Sequence, residues 1–186
     1  MRPLYRGLFF VFPFCFSLTL LFDFRYVWEQ KKDTKVYDLK EARLKAEHFC
    51  AYQERSHKQV QEKLRTFGLR PDVADEIIIE LIQNNFLNEA RFASAFTRGK
   101  FNIKGWGRIK IKQHLKMHHV SDYNLKRALA EISESDYLEK FDAVAAKKWK
   151  ALKEENALNK KQKFLRFMYS RGFESTLGYD FLRDKK

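Results

Sequence analysis

The sequence predicts an all-α protein, built as a tandem repeat of three short three-helix, helix-turn-helix-like units. Three observations lead there. Seven Gly and three Pro in 186 residues leave too little turn chemistry for a β-sandwich or barrel. From Asp38 onward the apolar residues recur at three- and four-residue steps, the period of a helix with one buried face. The pattern also reappears when shifted by 51 residues, and much of it again at 104.

The chain opens on an apolar extension, residues 1–35. Leu8 to Phe22 form an almost unbroken apolar run behind Arg2 and Arg6, the rough outline of a secretory leader. The run passes straight into Asp23-Phe24-Arg25-Tyr26 without a small-x-small cleavage site. It is short for a membrane span, which needs roughly 20 apolar residues, and it contains Pro13. A start assigned too far upstream, a signal or anchor, and a genuine appendage all remain open.

The first repeat spans 38–85. Leu39, Ala42, Ala46 and Phe49 define the buried stripe of a leading helix over about 38–53. Ser56 caps a second helix whose buried face is Val60, Leu64 and Phe67, and Gly68 stops it. Pro71 sits in the first turn of a third helix carrying Val73, Ala74, Ile77, Ile78, Leu81 and Ile82, which Asn84-Asn85 ends.

The second repeat, 86–133, follows from the 51-residue shift. Val60, Leu64, Gly68, Leu69, Ile78 and Leu81 fall on Ile111, Leu115, His119, Val120, Leu129 and Ile132, with a leading helix over 88–101. The third, 134–183, follows from the 104-residue shift. There Val60 falls on Phe164, Leu64 on Met168, Gly68 on Gly172, Leu69 on Phe173 and Ile77 on Phe181, behind a leading helix over 135–155. A helix pair cannot bury its own apolar face, so each leading helix is expected to close a small three-helix core.

Charge supplies the functional signal. With 37 Lys+Arg against 24 Asp+Glu the net charge is +13, which favours a polyanionic partner, although it also fits an ordinary basic protein. The charge is concentrated. Between Glu89 and Asp122 no acidic residue occurs, while Arg91, Arg98, Lys100, Lys104, Arg108, Lys110, Lys112 and Lys116 do. A solvated face normally mixes signs, and like charges four residues apart cost a few tenths of a kcal/mol each. Arg108, Lys112 and Lys116 share one stripe of the middle helix, with Lys110 to its side.

The loop from Asn102 to Gly107 leads into that helix. Its glycines permit close backbone approach, and the first N–H groups of the helix form a ready anion site. Trp106 either stacks on a base or caps the core, and the core reading is favoured. His118 and His119 are expected at the helix C-terminus, where partial positive charge is favourable.

Catalytic and metal motifs are missing. The sequence has no Gly-rich phosphate loop, GxSxG elbow or HExxH, and Glu76 and Glu80 read as a solvated helix face. Cys15 and Cys50 form no metal-ligand or disulfide pattern, so a reducing cytoplasm is expected, with no metal or cofactor. A helix-turn-helix DNA-binding regulator is one alternative, weakened by the scarcity of base-reading side chains near 121–132. A membrane-tethered helical adaptor using residues 8–22 is another.

Over roughly residues 42 to 183 the chain resembles the RecX regulatory family, modulators of the RecA recombinase. The likeness is carried by Ser56…Val60…Lys63-Leu64…Gly68, then Phe86-Leu87-Asn88-Glu89-Ala90-Arg91-Phe92-Ala93 and Phe96-x-Arg98-x-Lys100. Gly105-Trp106-Gly107-Arg108…Ile111…Leu115 and Ser170-Arg171-Gly172-Phe173 complete it. The resemblance implies an elongated, curved, cytoplasmic molecule without a catalytic site, acting in recombination, DNA repair and the SOS response. It would lodge in the groove of the RecA–single-stranded-DNA filament and oppose filament growth. Arg91, Arg98, Lys100, Lys104, Trp106, Arg108, Lys110, Lys112 and Lys116 are then the expected contacts to filament and DNA phosphates. The apolar extension departs from the family pattern. Reversing Lys104, Arg108 and Lys112 to Glu is expected to abolish binding with little change in thermal melting.

Overall fold

The structure, a computed structural model, describes residues 37–153 and 156–183, so the apolar extension expected over residues 1–35 lies outside the described residues. Among the described residues nine helices follow one another through short connections, and no strand occurs. The first unit holds α1 (Leu39–Tyr52), α2 (His57–Arg65) and α3 (Pro71–Gln83). The second holds α4 (Glu89–Asn102), α5 (Arg108–Met117) and α6 (Asp122–Ala130). The third holds α7 (Glu134–Ala151), α8 (Ala157–Arg171) and α9 (Ser175–Arg183).

Local chemistry sets the boundaries. Ser56 opens α2 with a reciprocal capping box, its Oγ accepting from the Gln59 N–H while Gln59 Oε1 accepts from the Ser56 N–H. Asn88, Ser121, Ser133 and Asn156 cap α4, α6, α7 and α8 through their side chains. Asn85, at φ 58°, ends α3 as the sequence predicts.

The three-fold repeat is physical. Val60, Ile111 and Phe164 are each fully buried, as are Leu64 and Leu115, with Met168 at the third equivalent place. Gly68, His119 and Gly172 all adopt positive φ, at 73°, 60° and 84°. His119 therefore holds the left-handed turn at the place where the other repeats use glycine.

Two expectations need correction. The stripe of α1 is Ala42, Ala46 and Cys50; Leu39 is 43% exposed and Phe49 is only half-buried. Tyr37 takes the space expected for Leu39, its N–H donating to the Phe67 carbonyl at 3.1 Å and its ring packing 4.8 Å from that of Phe67. The units also do not each close a separate core. The first does, around Val60, Leu64, Ile77 and Leu81, but the second and third share one. Tyr137 of α7 bridges them, fully buried, with its ring 6.1 Å from Phe101 and 5.7 Å from Phe173.

Candidate functional site

The nine predicted contact residues sort by what their side chains already hold. Arg91 is a clamp to the first unit. Its Nε meets Glu54 Oε1 at 2.9 Å, and its two terminal nitrogens donate to the Asn85 side-chain and main-chain oxygens at 2.7 and 2.8 Å. Arg108 is a clamp to the third, donating to Glu134 Oε2 at 2.7 Å and to the Ile132 carbonyl at 3.1 Å, with its guanidinium 4.1 Å from the Tyr137 ring centroid. Lys110 donates to the Ser170 carbonyl at 2.8 Å. Lys116 lies 3.9 Å from Asp122, both largely exposed, a weak pair. Arg98, Lys104 and Lys112 are exposed and carry no side-chain partner among the described residues.

These residues do not share one surface. At about 100° per residue, Arg108, Lys112 and Lys116 run down one flank of α5, whereas Lys110 and His114 run down the other, with buried Ile111 and Leu115 between them. On the second flank Trp106 is half-buried against the core, 4.6 Å from the His114 ring. Lys100 and Lys110 stand 5.1 and 4.7 Å from its ring centroid.

The expected anion site at the start of α5 is closed. The Gly107 N–H donates to the Arg171 carbonyl at 2.9 Å, the Arg108 N–H to Tyr137 Oη at 3.2 Å, and the Ile109 N–H to the Gly172 carbonyl at 3.1 Å. Gly107 does admit a close backbone, but it is the third repeat's own turn rather than a ligand, while Gly105 faces the Val144 side chain.

The histidines also behave differently from expectation. His118 caps α5, but burial, then His114 and Lys58, hold its pKa below the usual imidazole value, so it resists the positive charge that a helix C-terminus favours. Its Nδ1 lies 3.3 Å from Ser56 Oγ of the first unit. His114 is shifted the same way, by burial and then by Lys110 and Lys100.

Sequence reasoning missed a second group of cations. Lys104 on the α4–α5 connection faces Lys140, Lys147 and Lys148 of α7 and Arg171 of α8 across a cavity of about 480 Å³ that no carboxylate lines. Ile103 and Lys104 also line a neighbouring cavity of about 440 Å³ that contains Lys100, Trp106 and His114. The α7 lysines were hidden because that helix mixes signs along its length. The readable signal was their spacing: positions 140, 147 and 148 lie on one face, while Glu134, Asp136, Glu139 and Asp142 fall in its first half.

Comparison with known proteins gives a consistent set of matches. Family models described as RecX first, second and third three-helix domains match residues 42–81, 88–129 and 134–182. Regulatory protein RecX of Leuconostoc mesenteroides is 25% identical over 126 residues, covering 68% of this chain and 47% of that protein. Regulatory protein RecX of Bacillus cereus is 23% identical over 136 residues, covering 73% of this chain and 50% of that protein. This chain therefore spans about half the length of the relatives it matches. The crystal structure of RecX from Lactobacillus salivarius superimposes with a TM-score of 0.67 at 24% identity, over 78% of this chain and 95% of that one. A crystal structure of a regulatory protein RecX gives 0.68 at 19% identity, over 78% of this chain and 73% of that one. At those identities the two structures speak for the fold alone.

Proposed function

The chain belongs to the RecX family, and from that premise we propose that it binds the RecA–single-stranded-DNA filament and opposes RecA activity without catalysing a reaction. The observation that carries this reading is the acid-free span between Glu89 and Asp122, in which Arg98, Lys104 and Lys112 stand exposed and unpaired. Unpaired cations on a folded surface raise the local concentration of a polyanion and speed its capture. A stack of like helical units offers an extended face on which such a filament can lie.

The rival readings have less support. A base-reading helix-turn-helix would place α6 in a groove, but Asn124, near its start, donates to Glu89 Oε1 at 2.7 Å and is occupied within the fold. A tethered adaptor rests on residues 8–22, outside the described residues; among those described, no helix is long and apolar enough to cross a membrane.

The test is ATP hydrolysis by RecA on single-stranded DNA while the full chain is titrated in. The expected result is a dose-dependent fall in rate, lost when Arg98, Lys104 and Lys112 are reversed to Glu. An unchanged rate at concentrations several-fold above RecA would overturn the reading.

A further inference from the structure

We infer that the cleft between the α4–α5 connection and α7 is a binding track for one strand of nucleic acid, held by its phosphodiester backbone. The inference takes from the proposed function only the expectation of a nucleic-acid partner; the site, and its use without any filament, are additional.

The charge pattern comes first. Lys104, Lys140, Lys147, Lys148 and Arg171 line one concavity without a carboxylate among them. Lys140 to Lys148 span about 12 Å along α7, the reach of two or three successive phosphates of an extended strand. Cations along the whole wall suit a ligand with a charge at every repeat unit. Rings hold several of them in place: Lys148 stands 4.9 Å and Arg171 5.1 Å from the Phe167 centroid.

The walls are tied to one another within the fold. Arg171 Nη1 donates to the Lys104 carbonyl at 2.6 Å, tying α8 to the α4–α5 connection, and α7 packs into the core shared by the second and third units. A preformed site loses little freedom on binding.

The floor selects a single strand over a duplex. It is made of Ala143, Val144, Ala151 and Phe167, and Ile103, 81% exposed, stands on the ridge between this cleft and the neighbouring cavity. A duplex turns its bases inward and leaves such surface unmatched. A single strand lays its bases on apolar surface while cations follow the backbone. Because Lys104 lines both cavities, the track continues past Ile103 toward Lys100 and Trp106, and ends where Glu54, paired with Arg91, lines the far side of the second cavity.

The test uses the full chain without RecA, with fluorescence anisotropy of a labelled oligothymidylate about 16 nucleotides long. Lys104 and Lys147 are exposed without side-chain partners, so the Lys104→Glu/Lys147→Glu protein is expected to keep its melting temperature. Its affinity should fall at least about tenfold, and the slope of log affinity against log salt should shrink by about 1.4. Lys40→Glu/Lys126→Glu, an equal charge change away from the cleft, should stay within about threefold of the parent. Equal losses in the two variants would overturn the proposal. So would tighter binding of duplex than of oligothymidylate, or equal competition by polyglutamate, which would mark an acidic polypeptide as the occupant. RecA inhibition by a chain that binds no bare DNA would sink the cleft and leave the proposed function standing. Cleft-dependent DNA binding without RecA inhibition would do the reverse.

Discussion

Gly107 and Gly172 meet back to back, so closely that a Cβ on Gly107 would fall 2.2 Å from the Gly172 carbonyl oxygen, and one on Gly172 would fall 2.3 Å from Lys110 Cβ. This contact lets the start of α5 donate its N–H groups to the turn after α8, and it welds the second unit to the third. The atoms in the way are mostly backbone, and Gly172 also sits at φ +84°. Gly107→Ala and Gly172→Ala should therefore each cost about 2–4 kcal/mol, combining overpacking with lost hydrogen bonds. A Cβ on Gly99 meets nothing within 4 Å, so Gly99→Ala in the interior of α4 should stabilise by about 0.5–1 kcal/mol. Urea unfolding followed by helical circular dichroism separates the two outcomes.

Arg108 and Lys112 are one helical turn apart on the same flank of α5, yet they should respond oppositely to truncation. Arg108→Ala removes two hydrogen bonds and a cation–π contact to Tyr137, which predicts a loss of about 1–2 kcal/mol. Lys112→Ala removes no side-chain hydrogen bond or ion pair and should lie within about 0.5 kcal/mol of the parent. Reversing Lys104, Arg108 and Lys112 together therefore confounds binding with folding, contrary to the unchanged melting expected from sequence. Substituting Arg98 for Arg108 in that set keeps the melting temperature while removing the three free charges.

The repeat was legible because burial and turn geometry both leave a local mark. Val60, Ile111 and Phe164 answer to the same three- and four-residue period, and the positive-φ turn sits a fixed distance beyond each of them. What stayed hidden was set by contacts between units. No local pattern says that Glu134 reaches back to Arg108, that Gly172 closes the N-terminus of α5, or that Tyr137 fuses two cores into one. The site was half legible for the same reason. A run without acids is visible in the chain, but the α7 lysines join Lys104 only when two units pack. The α1 stripe failed for a smaller reason, since Tyr37, two residues before the helix begins at Leu39, packs against the first core in place of Leu39.

His118 makes the junction of the first and second units sensitive to acid. Burial, then His114, Lys58 and Lys100, lower its pKa against the opposing pull of Glu62, and His114 is lowered as well. A group whose folded pKa lies below its unfolded value of 6.5 binds fewer protons folded than unfolded. Stability from both rings is thus complete above about pH 6.5 and declines as pH falls from there toward the folded values. Urea midpoints at about pH 7.5 and 5.5 should show a drop that His114→Gln/His118→Gln flattens. An equal drop in parent and variant would assign the acid sensitivity to other groups. The Glu89 carboxylate acts at lower pH and adds nothing to that window. Burial alone would raise its pKa, but hydrogen bonds from Ser121 and Asn124 outweigh that and lower it, so its contribution is lost only below about pH 4.5.

Arg91 decides whether a cation in the acid-free span serves the fold or a ligand. The helices of the first and second units lie in separate cores, joined by Phe86 and Leu87 at the head of the second repeat, which pack into the first. Polar contacts add to that junction: Arg91 to Glu54, Lys58 Nζ to the Met117 carbonyl, and Ser56 to His118. Arg91→Lys keeps the charge and loses the fork that reaches Glu54 and both Asn85 oxygens at once. A phosphate contact tolerates that change, because either cation neutralises a phosphate. A clamp does not. Arg91→Lys should cost about 1 kcal/mol, and a double-mutant cycle with Glu54→Gln should show the Glu54 share of that loss as coupling, the remainder belonging to the Asn85 contacts. Amide exchange in α1 and α2 should quicken while α7 to α9, held in the other core, stay protected. Unchanged exchange together with weakened DNA binding would move Arg91 from the junction to the nucleic-acid interface.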